Sequence, residues 1–309
     1  MFVLNPDPYC LPCYRIGPFQ TKDIRLNQLL PESNSIDKYF HNRLANKHYE
    51  YTLNGREAIH LALRAYGLEK DDTVTILTTS GNTYISGCVT SEIEKYCQWS
   101  REIKDTTKLL FVNHEFGYPF ENITELKKYN LPIIEDCASS FFSEDKEGGI
   151  GNVGDFVIYS FPKMFNLQIG GLLVCNDKSK KLKESDISEE EVGHVKKVLS
   201  SQIINKEKII RDRLSNYQYL RNEFLKLGLK ERFEINEGVV PGVFMFKATY
   251  LDLNSLKVYY NVHGVQCSVF YGENTFFIPV HQGLAKEDLD YFVTIMKSFL
   301  KLNKKESNA

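Results

Sequence analysis

The chain has 309 residues, of which 42% are hydrophobic and 25% charged, and this length suits one large domain or two smaller ones. Its 38 basic and 40 acidic residues give a net charge of −2, which argues against general binding to nucleic acid or anionic lipid. No window approaches the roughly 18 apolar residues that a membrane span needs. Because Met1 is followed by polar, proline-containing sequence and not by a signal region, we expect a cytoplasmic protein.

The cysteines give no sign of a disulfide framework. There are seven, an odd number spread along the chain, which favours reduced thiols. Only Cys10 and Cys13 have the spacing of metal ligands, and a zinc ribbon needs a second such pair. No second pair follows, so we predict no metal site and interpret these two residues as thiols of an N-terminal arm.

The first half of the chain alternates between predicted helices and strands. Residues 1–36 are rich in proline and are expected to be mostly irregular. From there on, the alternation is typical of βαβ units, and it predicts an α/β fold with a mostly parallel sheet flanked by helices. The predicted helices cover residues 35–47, 55–66, 82–89 and 121–129, and the predicted strands cover 73–79, 108–113, 131–136, 155–160 and 172–176.

The second half follows a different pattern. A charged stretch at residues 178–191 is expected to be a solvated face or linker. Residues 190–227 are predicted to form one long helix or two. The remaining strands and helices predict a smaller α+β domain. We therefore expect a large domain with an N-terminal arm over residues 1–185 and a long helix with the small domain over 186–309.

An acid and an amine follow two of the predicted strands. Asp136 ends the run LPIIED, and Ser160 and Lys163 lie at the end of DFVIYS, in a Ser-x-x-Lys spacing. If these strands are neighbours in a parallel sheet, both groups emerge at its carboxyl edge, where open α/β sheets bind ligands. Pyridoxal phosphate fits such a pair, because it needs a lysine for a Schiff base, an acid for its ring nitrogen and donors for its phosphate.

Other positions support this interpretation less specifically. A helix that opens with Gly55 presents backbone N–H groups and a positive dipole end to a phosphate. Strand alternation sends Glu135 and Asp136 to opposite faces. Apolar residues flank Lys163, and desolvation favours a neutral, nucleophilic amine. Plainer alternatives stay open: many helices begin with glycine, an aspartate often caps a helix, and most lysines are simply solvated.

Several short motifs occur in an order that resembles the DegT/StrS nucleotide-sugar aminotransferases, which have the fold-type-I pyridoxal-phosphate architecture. The likeness spans residues 40–300 and includes the closing segment FFIPVHQGLAKEDLDYF. The motifs are the helix start at Gly55, Thr83-Tyr84, His114-x-x-Gly117, Glu135-Asp136-x-Ala138, Ser160-Phe161, Lys163 and Gly170-Gly171.

The resemblance assigns roles to the residues that match. It implies that Lys163 holds the cofactor covalently and shuttles a proton, acting as general base and acid, while ionised Asp136 keeps the ring nitrogen protonated. It implies a stacking role for Tyr84 on the cofactor ring. The remaining implied positions are Gly55, Arg56 and Ser160 at the phosphate, Ser139 near the phenol oxygen, and His281 as a substrate residue.

The resemblance also implies partners and a reaction. It predicts a homodimer that moves an amino group from a donor such as glutamate to a keto-deoxysugar nucleotide, in the synthesis of surface polysaccharides. The chain departs from the family at Ser139, where His or Gln is usual, in a Ser160 to Lys163 spacing shorter by two residues, and in residues 177–200, which lack the family's cross-subunit segment. These departures keep open a non-catalytic or regulatory relative that binds pyridoxal phosphate or a sugar nucleotide.

Overall fold

The computed structural model describes residues 13–45, 47–146, 148–177, 179–180 and 182–306. Cys10 of the predicted thiol pair lies outside these residues. The described chain forms two compact units. The larger unit contains residues 19–206 and 236–240, and the smaller unit contains the other described residues.

A seven-stranded sheet forms the centre of the larger unit. The strand order is β1-β7-β6-β5-β4-β2-β3, and every neighbouring pair is parallel except those made by β7, which runs against β1 and β6. The predicted mostly parallel sheet flanked by helices is therefore confirmed. The strands are β1 (His48–Thr52), β2 (Thr73–Thr78), β3 (Gln98–Ser100), β4 (Thr107–Asn113), β5 (Ile133–Asp136), β6 (Phe156–Ser160) and β7 (Gly171–Cys175).

The described residues of this unit form five α-helices, and two of them differ from the sequence prediction. A helix lies within the N-terminal stretch that was expected to be irregular, and the helix predicted at 82–89 begins later, where the Ser86 hydroxyl accepts from the Cys88 N–H. The helices are α1 (Thr21–Gln28), α2 (Ser35–Leu44), α3 (Gly55–Arg64), α4 (Gly87–Ile93) and α5 (Glu189–Ile203), and a 3-10 helix covers Ile123–Tyr129.

Helix α3 shows why this sequence packs against the sheet. Ala58, Ile59 and Leu61 of α3 are buried against strand residues such as Ile76 and Phe111. A helix with one apolar face removes that face from water by lying on the apolar face of a sheet. This packing fixes the first turn of α3 relative to the strand ends.

The division between the units differs from the predicted boundary at residue 185. Helix α5 packs on α2, where the Ile36 N–H donates to Ser200 Oγ at 3.1 Å and Lys196 pairs with Asp37 at 2.9 Å. Because these contacts hold α5 to the larger unit, the division falls after Lys206.

The smaller unit has the predicted α+β composition. Its three-stranded antiparallel sheet has the order β8-β10-β9, and its core includes the fully buried Leu256, Phe276 and Phe292. None of the described helices combines the length and apolarity needed to cross a membrane. The elements are α6 (Lys206–Lys226), β8 (Val243–Lys247), α7 (Leu253–Val262), β9 (Ser268–Phe270), β10 (Thr275–Pro279) and α8 (Lys286–Glu306).

Candidate active site

The carboxyl ends of three adjacent parallel strands meet at one edge of the large sheet. Strand β4 ends at Asn113, β5 at Asp136 and β6 at Ser160. Asn113 is paired in register with Asp136. On the other side of β6, Gly171 is paired with both Ser160 and Thr52, so β1 ends at the same edge. The sheet thus gathers the predicted acid, the predicted serine and the approach to α3, as expected of a site at the carboxyl edge.

Asp136 is a buried carboxylate with few partners. It is 6% exposed, accepts from the Ala138 N–H at 2.9 Å and from Asn113 Nδ2 at 3.3 Å. Burial raises its pKa, although the Ala138 hydrogen bond and the nearby Lys163 and His114 act in the opposite direction. Burial makes this carboxyl group costly to ionise, and a cation placed next to it stabilises the ionised form.

The first turn of α3 lies beside Ser160. Its N-cap residue Asn54 accepts from the N–H groups of Arg56 and Glu57 at 3.0 and 3.1 Å. The Arg56 and Glu57 N–H groups, which the sequence suggested as phosphate donors, are therefore already bound by Asn54. Among the described residues of this turn, the Gly55 N–H stays the candidate donor to a phosphate. A Cβ at Gly55 would lie 3.2 Å from Ser160 Cβ, so the glycine keeps the space next to the Ser160 hydroxyl open.

The Gly170-Gly171 pair has two separate steric requirements. Gly170 has a φ of +104°, a conformation that side chains disfavour. At Gly171 a Cβ would lie 2.7 Å from Thr52 Oγ1 and 2.8 Å from the Tyr159 carbonyl oxygen. Both glycines therefore allow β7 to pass tightly between β1 and β6 at the site.

Lys163 ends a 3-10 turn, Phe161–Lys163, which follows β6 directly. Phe161, Met164 and Phe165 are fully buried, whereas Lys163 is exposed. The burial expected for Lys163 from its apolar neighbours is therefore wrong for the single chain, because those neighbours point into the core and leave the lysine at the surface.

Two other predicted cofactor residues lie in segments that follow the strands. Tyr84 lies between β2 and α4, is 42% exposed, and donates its N–H to Asn82 Oδ1 at 3.3 Å. Ser139 is half-buried and lies three residues after Asp136. Their positions at the cofactor remain predictions.

Glu135 points away from Asp136, as strand alternation predicts, into a buried network. His114 Nδ1 accepts from the Phe120 N–H at 2.9 Å, so Nε2 carries the proton and donates to Glu135 at 3.1 Å. Burial alone would raise the pKa of Glu135, but the His114 bond and the N–H groups of Gly154 and Gly151 lower it below the usual value. The network fixes the segment that follows β4 and the loop before β6.

The Cys137 thiol lies next to the His114–Glu135 pair. Its sulfur and the potential ligand atoms of His114 and Glu135 lie within 4.8 Å of one another. Burial raises the pKa of Cys137 well above its usual value, which keeps the thiol protonated, and metals bind the thiolate. Because the His114 Nε2 proton already points at Glu135, hydrogen bonding accounts for this trio without a metal ion.

His281 belongs to the smaller unit, where it is 2% exposed. Its Nδ1 accepts from the Gly283 N–H at 3.1 Å, and burial, with a smaller effect of Arg213, lowers its pKa to about 3. This neutral, enclosed histidine shapes its own loop, and its contact with substrate stays a prediction.

Sequence reasoning missed three residues that shape the site. Asn113 contacts Asp136 directly, Asn54 caps α3, and the Glu57 carboxylate accepts from the Ser185 hydroxyl at 2.8 Å and the Asp186 N–H at 2.6 Å. An asparagine just before a helix is a recognisable cap signal. The contacts of Asn113 and Glu57 depend on the tertiary fold and leave no local pattern.

The donor set fits pyridoxal phosphate. Gly55 and Ser160 lie side by side and offer a helix N-terminus and a hydroxyl, which suit a phosphate. The buried Asp136 suits a protonated ring nitrogen, and the exposed Lys163 is close enough to act on the charge of Asp136. These features answer the three requirements of the cofactor: phosphate donors, an acid and an amine.

A family model described as "Putative PLP-dependent aminotransferase" matches residues 36–237, which is more than half of the chain and includes every proposed cofactor residue. The GDP-perosamine synthase of Escherichia coli O157:H7 is 33% identical over 172 residues, covering 48% of this chain and 46% of that protein. The chain therefore spans about half the length of this curated relative.

Solved structures share the fold over nearly the whole chain. The aminotransferase TlmJ from Streptoalloteichus hindustanus has a TM-score of 0.73 at 15% identity, covering 92% of this chain and 95% of its own. A DegT DnrJ EryC1 StrS aminotransferase from Brucella abortus has a TM-score of 0.68 at 14% identity, covering 90% and 93%. These likenesses confirm the predicted fold class.

Proposed function

Because this chain belongs to the family of PLP-dependent aminotransferases, we propose that it transfers an amino group from an amino acid to the keto group of a deoxysugar nucleotide. The observation that carries the proposal is the meeting of Asp136, Ser160 and the Lys163 turn at one sheet edge. The sugar substrate is supported by the GDP-perosamine synthase relative, and the amino donor by the resemblance alone.

When bound, pyridoxal phosphate supplies an electron sink that stabilises the charge left on the substrate carbon after proton loss. Asp136 would hold the proton on the ring nitrogen, since a cation there relieves the cost of burying the carboxylate. The Gly55 N–H, the Arg56 side chain and the Ser160 hydroxyl would bind the phosphate.

Lys163 has two tasks in this proposal. Its amine would hold the cofactor covalently, and its Nζ would act as the general base and acid that takes up and returns the proton of the substrate. The exposed position of Lys163 leaves its amine accessible to the cofactor and to the substrate. Tyr84 would cover the ring, and Ser139 would approach the phenol oxygen through water.

We further propose glutamate as the amino donor, a cytoplasmic homodimer as the assembly and a role in surface-polysaccharide synthesis. A second subunit would shield the exposed Lys163 and Tyr84 from bulk water. Transfer balances as amino acid plus keto sugar giving 2-keto acid plus amino sugar, and needs no further reactant.

The test follows the two half-reactions separately. The protein loaded with pyridoxal phosphate is mixed with L-glutamate, and the visible absorbance band is followed with the release of 2-oxoglutarate. A panel of UDP-, GDP- and dTDP-linked keto-deoxyhexoses is then added, and return of the visible band with formation of an amino sugar is measured. We expect both steps with wild type and neither with Lys163→Ala.

A non-catalytic relative is the second candidate, and the observations that favour it are Ser139, where the family usually has His or Gln, and residues 177–200, which lack the family's cross-subunit segment. This candidate predicts saturable binding of pyridoxal phosphate or a sugar nucleotide with no 2-oxoglutarate release. A wild-type protein that binds the cofactor and never converts it, whichever amino acid is supplied, contradicts the transaminase proposal and supports this one.

A further inference from the structure

Helix α1 packs with the opposite polarity from an ordinary surface helix. Its Asp23 and Asn27 are 4% and 5% exposed, whereas its aliphatic Ile24 and Leu26 are 47% and 52% exposed. A surface helix normally buries its apolar face, and burying polar groups costs free energy unless they are hydrogen-bonded. The reason for this inverted pattern must therefore lie in the partners of the two buried polar residues.

Both residues bind Asn166. The Asn166 side-chain Nδ2 donates to Asp23 Oδ2 at 3.0 Å, and Asn27 Nδ2 donates to the Asn166 carbonyl oxygen at 2.8 Å. From helix α5, Gln202 Oε1 accepts from the Asn166 N–H at 3.2 Å. The backbone N–H, the backbone carbonyl and the side chain of one residue are thus held by two helices.

Asn166 lies three residues after Lys163 in the same compact turn. The Met164 and Phe165 N–H groups both donate to the Phe161 carbonyl, at 3.0 and 2.8 Å. The buried aromatic rings anchor this turn from the core side. Contacts from α1 and α5 to Asn166 anchor the turn from the other side. Lys163 therefore lies in a segment that is restrained on both sides.

We propose that α1 is a positioning element for Lys163, with Asp23 and Asn27 fixing the lysine turn through Asn166. The inference rests on the proposed function and adds to it, since it assigns a role to an N-terminal helix that contributes nothing to the sheet. An eight-residue helix is marginal by itself, so these hydrogen bonds stabilise the helix and the turn together. A reacting group must be held closely, because small displacements lower rates strongly.

The first arm of the test measures the turn without the cofactor. Amide hydrogen exchange over residues 161–170 is compared in wild type, in Asp23→Ala/Asn27→Ala and in Arg25→Ala, which removes an exposed charged side chain from the same helix. We expect exchange at residues 164–167 to be about tenfold faster in the double variant and unchanged in Arg25→Ala. Equal exchange in all three proteins overturns the inference, whatever the protein catalyses. If the double variant does not fold, Gln202→Ala tests the same restraint from α5.

The second arm measures the lysine itself. The rate at which borohydride-fixed cofactor accumulates on Lys163 and the kcat of transamination should both fall roughly tenfold in the double variant, with KM for the keto sugar unchanged. Asp23→Asn keeps an acceptor oxygen and should retain most of the wild-type rate. Faster amide exchange in the turn, with wild-type rates of cofactor capture and transamination, overturns the inference and leaves the proposed function unaffected. A wild-type chain that captures no cofactor overturns the proposed function, and this inference with it.

Discussion

Asn113 Nδ2 donates to Asp136 Oδ2 at 3.3 Å, and the two residues occupy paired positions at the ends of neighbouring strands. The bond orients a carboxylate that burial makes costly to ionise. A neutral amide can orient this carboxylate but cannot neutralise it. Within the chain, the nearby Lys163 and His114 favour its ionised form, so Asn113 supplies orientation and these two residues supply part of the charge balance.

Asp136→Asn should stabilise the cofactor-free protein and weaken cofactor binding. Because the pKa of Asp136 is raised in the folded chain, the folded protein loses stability as the pH rises from the unfolded-state pKa to the folded-state pKa of this carboxyl. The loss persists at higher pH. The melting temperature of the variant should therefore exceed that of wild type at pH 7, and the difference should shrink towards about pH 4. A variant less stable than wild type at pH 7 would contradict the burial argument.

Gly55→Ala should weaken binding of the cofactor phosphate selectively. The added Cβ would lie 3.2 Å from Ser160 Cβ, in the space that we assign to the phosphate. We expect the dissociation constant for pyridoxal phosphate to rise roughly tenfold, a cost of about 1.4 kcal/mol. The constant for pyridoxal, which lacks the phosphate, should change little. Equal losses for both ligands would place the phosphate elsewhere.

Glu57→Ala should release the charged segment that precedes α5. The Glu57 carboxylate accepts from Leu53, Ser185 and Asp186, and its loss removes these hydrogen bonds, each worth about 0.5–1.5 kcal/mol. Limited trypsin digestion should then cut faster after Lys183. Glu57→Gln keeps an acceptor oxygen and serves as the matched control. Unchanged digestion in the alanine variant would show that the segment is held by other contacts.

Glu135→Gln should lower stability in a pH-dependent way. Because hydrogen bonds hold the pKa of Glu135 below its usual value, its contribution is present at neutral pH and is lost as the pH falls through the folded-state pKa. Urea unfolding at pH 7 should give a free energy of unfolding lower by about 3 kcal/mol, and the difference should narrow in acid. A constant difference at all pH values would show that the charge of Glu135 is not what matters.

The sequence was most informative where apolar runs determine structure. The runs that end at Asn113, Asp136 and Ser160 predicted three strands, which the structure places side by side, and the apolar face of α3 predicted the helix at Gly55. Periodicity reports burial against a large common core, and these elements are buried in that way. The acid, the serine and the glycine at one edge could therefore be predicted without the fold.

Other parts of the site follow from contacts that no local pattern encodes. Helix α1 buries Asp23 and Asn27, which bind Asn166, and Asp23 also caps the helix by accepting from the Gln20 N–H at 2.7 Å. Its apolar periodicity is therefore inverted, and the helix was missed. The exposure of Lys163 was also missed, because apolar neighbours in sequence point away from it. Both errors have one cause: hydrogen bonds and turn geometry, and not the apolar pattern, decide these positions.

We propose that Lys163 holds the cofactor at this sheet edge. Borohydride reduction of the protein after incubation with pyridoxal phosphate, followed by peptide mass spectrometry, locates the fixed cofactor. We expect one equivalent on Lys163, which excess inorganic phosphate suppresses, and none at any lysine of Lys163→Ala under the same conditions. Cofactor fixed on other lysines, with Lys163 unmodified, would contradict it.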